Sequence, residues 1–82
     1  MESPQEVVDL RGLKCPLPAL RTRRYLARAP EHCVVVVIAD DPMASIDVPH
    51  MCASEGFEVL EVQRLGDESR MIIRKPDRKS VV

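Results

Sequence analysis

Cysteine is the residue type in this sequence whose placement invites covalent chemistry. Cys15 lies in Leu10-Arg11-Gly12-Leu13-Lys14-Cys15-Pro16-Leu17-Pro18, where a strand gives way to a helix started by proline. Unpaired N–H groups and the positive end of the helix dipole stabilise a thiolate at such a point. Arg11 and Lys14 add charge of the same sign. A free thiol titrates near about 8.5, and surroundings of this kind bring it to about 3.5–7.5. A depressed pKa is therefore expected for Cys15. Gly12 supplies the backbone freedom for a tight turn. Pro16 and Pro18 remove two donors from the first helical turn and stiffen it, which holds the sulfur at a fixed, exposed corner.

Other chemistries are less well supplied. A Cys–His hydrolase needs a base in hydrogen-bond reach, an oxyanion site and a cleft, and neither His32 nor His50 is near Cys15 in sequence. His50 and Cys52 are two apart on a helix and point to different sides, with no third ligand in view, so no metal site is expected. Asp40 and Asp41 could be a carboxylate pair, but before Pro42 they read better as cap and turn residues. Cys33 opens a β-branched run and Cys52 faces inward on a helix, so both read as small buried hydrophobes.

The elements that position Cys15 follow from periodicity. Glu6 to Leu10 alternates, with Val8 and Leu10 on one face and Val7 and Asp9 on the other. A helix is expected from Pro16 to about Arg28 or Ala29. It turns Ala19, Thr22, Leu26 and Ala29 toward a sheet and Leu17, Arg21, Arg24 and Arg28 toward solvent. Cys33 to Ala39 is apolar on both faces and belongs in the middle of a sheet or beneath helices. Pro49 argues for a short turn over Pro42–Ile46 and then a helix from about Val48 to Glu55, closed by Gly56. Ile46, Met51 and Cys52 are the expected buried set. Strands follow over Phe57–Val62 and Arg70–Arg74 around Gly66-Asp67. The order is β-α-β-α-β-β: an α/β two-layer sandwich, a mixed four-stranded sheet with both helices packed on one face.

With 82 residues the chain reads as a single domain, 1–82, with a core of about 6–75 and a charged tail, 76–82, expected to fray. The apolar share of 45 % is almost wholly aliphatic, which argues against a deep, aromatic-walled small-molecule pocket. No apolar run reaches membrane-spanning length, and Met1 to Glu6 is polar and acidic, so a cytoplasmic setting without membrane contact is expected. The three cysteines are an odd number at irregular spacing, unlike a disulfide framework, and are expected to be free thiols.

A net charge of −1 conceals segregation: residues 10–30 hold six cations and no acid, residues 31–61 seven acids and no Lys or Arg. The plain reading is a solvated basic face. The functional one is a docking face for an acidic partner or nucleic acid, with Leu17 and Leu20 as apolar anchors for a protein beside Arg21, Arg24 and Arg28.

Asp9-Leu10-Arg11-Gly12-Leu13-Lys14-Cys15-Pro16-Leu17-Pro18 resembles the Asp-x-x-Gly-Leu-x-Cys-Pro-x-Pro signature of TusA/SirA-type sulfur-carrier proteins. Asp40-Asp41-Pro42, Asp47-Val48-Pro49, Cys52 and Ser54-Glu55-Gly56-Phe57 resemble that family's downstream pattern. The resemblance runs from about Val8 to Arg74. It implies the same two-layer fold, with Cys15 taking sulfane sulfur as a persulfide from a cysteine desulfurase or rhodanese-like donor and passing it to an acceptor sulfurtransferase protein. Branches of the family feed tRNA thiolation, cofactor sulfuration or sulfur oxidation. It implies a carrier without its own catalytic pocket and without a resident cofactor, the persulfide being transient. Ala29-Pro30-Glu31 departs from the family in lacking the glycine often found at the first-helix exit.

Two other classes compete with that reading. A nucleic-acid-binding module would use the arginine stripe, but the near-neutral charge and scarce aromatics argue against direct nucleic-acid binding. A thiol-based regulator would use reversible oxidation of Cys15, although no resolving cysteine is near it in sequence.

Overall fold

A continuous run of valines decides the centre of the molecule. In the computed structural model, which describes residues 6–76, Val34–Ala39 forms β2, and its partners on either side are β1 (Glu6–Asp9) and β4 (Glu68–Arg74). The remaining elements are α1 (Leu17–Arg28), α2 (Ala44–Glu55) and β3 (Glu58–Leu65), giving the expected β-α-β-α-β-β order. The sheet runs β1-β2-β4-β3. β1 pairs parallel with β2, Val8 opposite Val37, and the other two pairings are antiparallel. Parallel neighbours need a crossover, and α1 supplies it.

Alternation along β2 separates the two faces. Val35, Val37 and Ala39 are fully buried, while Val36 and Ile38 are half-buried. The buried set shares one core with Leu26 of α1, Val48 and Cys52 of α2, and Met71 and Ile73 of β4. Both helices therefore cover the same face, and the fold is the two-layer α/β sandwich that the sequence predicts.

Three local expectations are corrected. First, α1 begins one residue late: Pro16 is its cap and Pro18 its second residue, fully buried, with its carbonyl accepting the Thr22 hydroxyl at 2.7 Å. The Cys15–Pro16 peptide bond is cis.

Second, α2 is one helix with Pro49 inside it, not a turn followed by a helix. An interior proline costs about 3 kcal/mol in lost hydrogen bond and steric conflict. Here Val48 and Cys52, one turn apart and both fully buried, hold the helix through it. Continuity also sets the helical phase. Ala44, Val48 and Cys52 face inward, and Ile46, about 200° round from Ala44, is 59 % exposed rather than buried. Gly56 closes α2 in the left-handed conformation, at φ +84°, as expected.

Third, β3 and β4 run longer than their apolar cores, pairing through Leu65 and Glu68. The connection shrinks to Gly66-Asp67, with Gly66 at φ +63°. The charged tail, apart from Pro76, lies outside the described residues.

Candidate functional site

The parallel pairing of β1 and β2 sends both chains out of the same edge of the sheet, so the loop carrying Cys15 meets the segment following Ala39. Three aspartates of that segment hold the loop. The Gly12 N–H donates to Asp40 Oδ1 at 2.9 Å, the Cys15 N–H to Asp41 Oδ2 at 2.6 Å, and the Cys15 thiol to Asp47 Oδ2 at 2.7 Å. Within the loop, Gly12 turns the chain at φ +92°, the Leu13 N–H donates to the Leu10 carbonyl, and the Leu17 N–H donates to the Lys14 carbonyl. Cys15 itself is exposed.

Asp41 is both a turn residue and a brace. Its Oδ1 accepts the Met43 N–H at 2.8 Å while Oδ2 holds Cys15. These backbone donors keep its carboxyl below the usual carboxylate range, led by Met43 and then Cys15, with Lys14 adding to the effect. The cap expected of Asp41 falls instead to Met43, because α2 begins at Ala44; Asp41 keeps its turn role and adds the contact with Cys15.

The thiol is perturbed in the opposite direction from that expected. The hydrogen bond to Asp47 holds it above its ordinary value, and partial desolvation and the charges of Asp47 and Asp41 act the same way. Arg11 does not offset them. Its guanidinium grips Asp9 through Nε and Nη2, at 2.9 and 2.7 Å, and approaches Glu68 at 3.7 Å. Asp9 is drawn down to about 2 by that grip. The cations next to Cys15 in sequence are outweighed by carboxylates that only the fold delivers.

The residues expected to dock a partner fall on two surfaces. Arg21, Arg24 and Arg28 line a cleft with Glu6, Tyr25 and Cys33, on the β1 side of α1. Leu20 instead lines the groove between the helices, with Pro16, Arg23, Asp47, His50 and Met51. That groove includes Pro16, the neighbour of Cys15, and Asp47, which accepts its thiol. Leu17 and Leu20 are 42 % and 44 % exposed.

Asp47 is the residue that sequence reasoning missed. Its signal was present: a β-α-β unit with parallel strands must bring the residues after its second strand to those after its first. Cys33 and Cys52 are buried and free. Burial pushes the Cys52 thiol up to about 11. Among the described residues, no group of three His, Cys, Asp or Glu side chains could hold a metal ion, and no helix is long and apolar enough to cross a membrane.

The sequence model of the family described as sulfurtransferase TusA matches residues 6–75. Among solved structures, a SirA-like protein from Desulfitobacterium hafniense is similar, with a TM-score of 0.74 and 22 % identity, over 88 % of this chain and 99 % of that one. At that identity the likeness speaks for the fold.

Proposed function

The chain belongs to the TusA sulfurtransferase family, whose members carry sulfur in relays with other proteins, and on that premise we propose that Cys15 is the carrying atom's attachment point. The observation that carries this reading is the position of Cys15. It is exposed on an open surface at the Cys-Pro-x-Pro motif, while Cys33 and Cys52 are buried. A persulfide handed from one protein to the next needs such a corner, because each partner must reach the terminal sulfur in turn.

In loading, the Cys15 thiolate attacks the terminal sulfur of a donor persulfide. The Cys15–sulfur bond forms, the donor's S–S bond breaks, and the donor cysteine leaves as a thiolate that takes up the proton Cys15 gave. Unloading is the same exchange with an acceptor thiol as nucleophile, so no external oxidant is consumed. The donor is a cysteine desulfurase or a rhodanese-like protein, and the acceptor is a sulfurtransferase. Gly12, Pro16 and Pro18 shape the corner. Leu20 near it, and the separate cleft of Arg21, Arg24 and Arg28 farther along α1, are the surfaces for protein contact.

The test is to incubate the protein with a desulfurase and cysteine and weigh it. One sulfur atom is gained by the wild type and by the Cys33→Ser and Cys52→Ser variants. A gain that persists after Cys15→Ser would remove Cys15 from the role.

A further inference from the structure

The main chain and the side chain of Cys15 are held by different carboxylates. Asp41, buried and with both oxygens engaged, fixes the N–H. Asp47, in the first turn of α2 and half-buried, accepts the thiol through Oδ2. Among the described residues Asp47 has no ion-pair partner, and its Oδ1 accepts no hydrogen bond. It also lines the open groove beside Leu20 and Arg23. One oxygen of this carboxylate thus holds the sulfur, and the other is left without a hydrogen-bond partner on a residue that lines the groove.

The charged groups around the sulfur are Asp47 from α2, Asp41 from the segment before it and Lys14 from its own loop. Arg23 of α1 and His50 and Glu55 of α2 line the groove with Asp47, and Arg11 is engaged by Asp9. A thiol can donate to a carboxylate, whereas a thiolate beside it meets a like charge. The contact seen here therefore favours the form of sulfur that cannot attack.

We propose that Asp47 is a clasp on the carrier thiol: it holds Cys15 protonated while the protein is alone, and sulfur moves only where a docking partner has drawn that carboxylate away. This rests on the carrier reading above. The partner group suited to the task is a lysine or arginine side chain, which pairs with Asp47 and leaves the sulfur free to ionise. The transfer step keeps its balance, since the proton released from Cys15 ends on the departing donor thiolate. Asp47 acts as a positioning residue, and the carrier alone is a poor target for small electrophiles and small disulfides.

The test is the pH profile of iodoacetamide alkylation at Cys15, read by mass. In Asp47→Asn the profile moves to lower pH and the rate at pH 7 rises several-fold, and Asp47→Ser does the same. Asp47→Glu keeps the charge and stays near wild type. Silence of Cys33 and Cys52 toward the reagent shows that each variant is folded. The gain in alkylation exceeds any gain in loading by a desulfurase, because a partner opens the clasp in the wild type too.

An unmoved profile in Asp47→Asn overturns the proposal, as does a profile moved to higher pH, which would make Asp47 a proton acceptor instead. A loading gain equal to the alkylation gain also overturns it. Failure of the wild type to take up sulfur is a separate result. It removes the carrier reading and leaves the alkylation profile standing.

Discussion

Cys15 and Cys52 are both held above the ordinary thiol value, the first chiefly by the hydrogen bond to Asp47 at the surface and the second by burial on the inner face of α2. The direction is shared and the physics is not. Desolvation of Cys52 is built from Val48, Met71, Ile73 and the other core side chains and yields only when the protein unfolds. The carboxylates around Cys15 yield to any event that neutralises or displaces them. An inert thiol and a guarded one can therefore look alike in titration while differing in what releases them.

The sharpest way to break this comparison is to replace each sulfur by oxygen. Cys15→Ser is expected to abolish sulfur loading and leave the denaturant midpoint close to wild type. Cys52→Ser should load normally but lose about 1–3 kcal/mol of stability, the cost of a poorly partnered hydroxyl in an apolar core. Loading measured by mass and urea titration read the two halves. The comparison fails if both variants show the same pattern.

A core truncation calibrates the buried side of it. Leu26 is fully buried against the sheet, and Leu26→Ala should cost about 2–5 kcal/mol in the same titration. Ile46, exposed on the far side of α2, should tolerate alanine within about 0.5 kcal/mol. A large loss at Ile46 would restore the broken-helix reading of this segment.

A smaller effect should separate the two carboxylates at the exposed site. Asp41 has its carboxyl lowered in the fold, so its contribution to stability is present above the unfolded carboxylate value, near about 3.9, and is lost as pH falls through the lower folded value. The drop in melting temperature between neutral and acidic pH should therefore shrink in Asp41→Asn. An undiminished drop would mean that Asp41 is not a brace for the Cys15 loop.

How far the molecule was legible in its sequence depends on the distance over which the causes act. The exposed corner at Cys15, the central place of Val34–Ala39, the left-handed glycine at 56 and the element order all follow from neighbours in the chain, and all are present. The continuity of α2 through Pro49 was not legible, because the local penalty of proline is offset by Val48 and Cys52 meeting a sheet formed by other segments. The charge around Cys15 was misjudged for the same reason. Arg11 and Lys14 are adjacent in sequence, but Asp41 and Asp47 arrive from 26 and 32 residues away.

The separate anchoring of the Cys15 main chain and sulfur has a consequence for recognition. If Cys15 carries sulfur as proposed, the hold of Asp41 on the amide is independent of what Asp47 does with the thiol, and an empty and a laden protein would offer the same backbone outline to whatever approaches. Shape cannot then announce the cargo. A donor that must refuse a full carrier, and an acceptor that must refuse an empty one, are left to tell them apart by the terminal sulfur itself, its reach of roughly 2 Å beyond Cys15 and its charge.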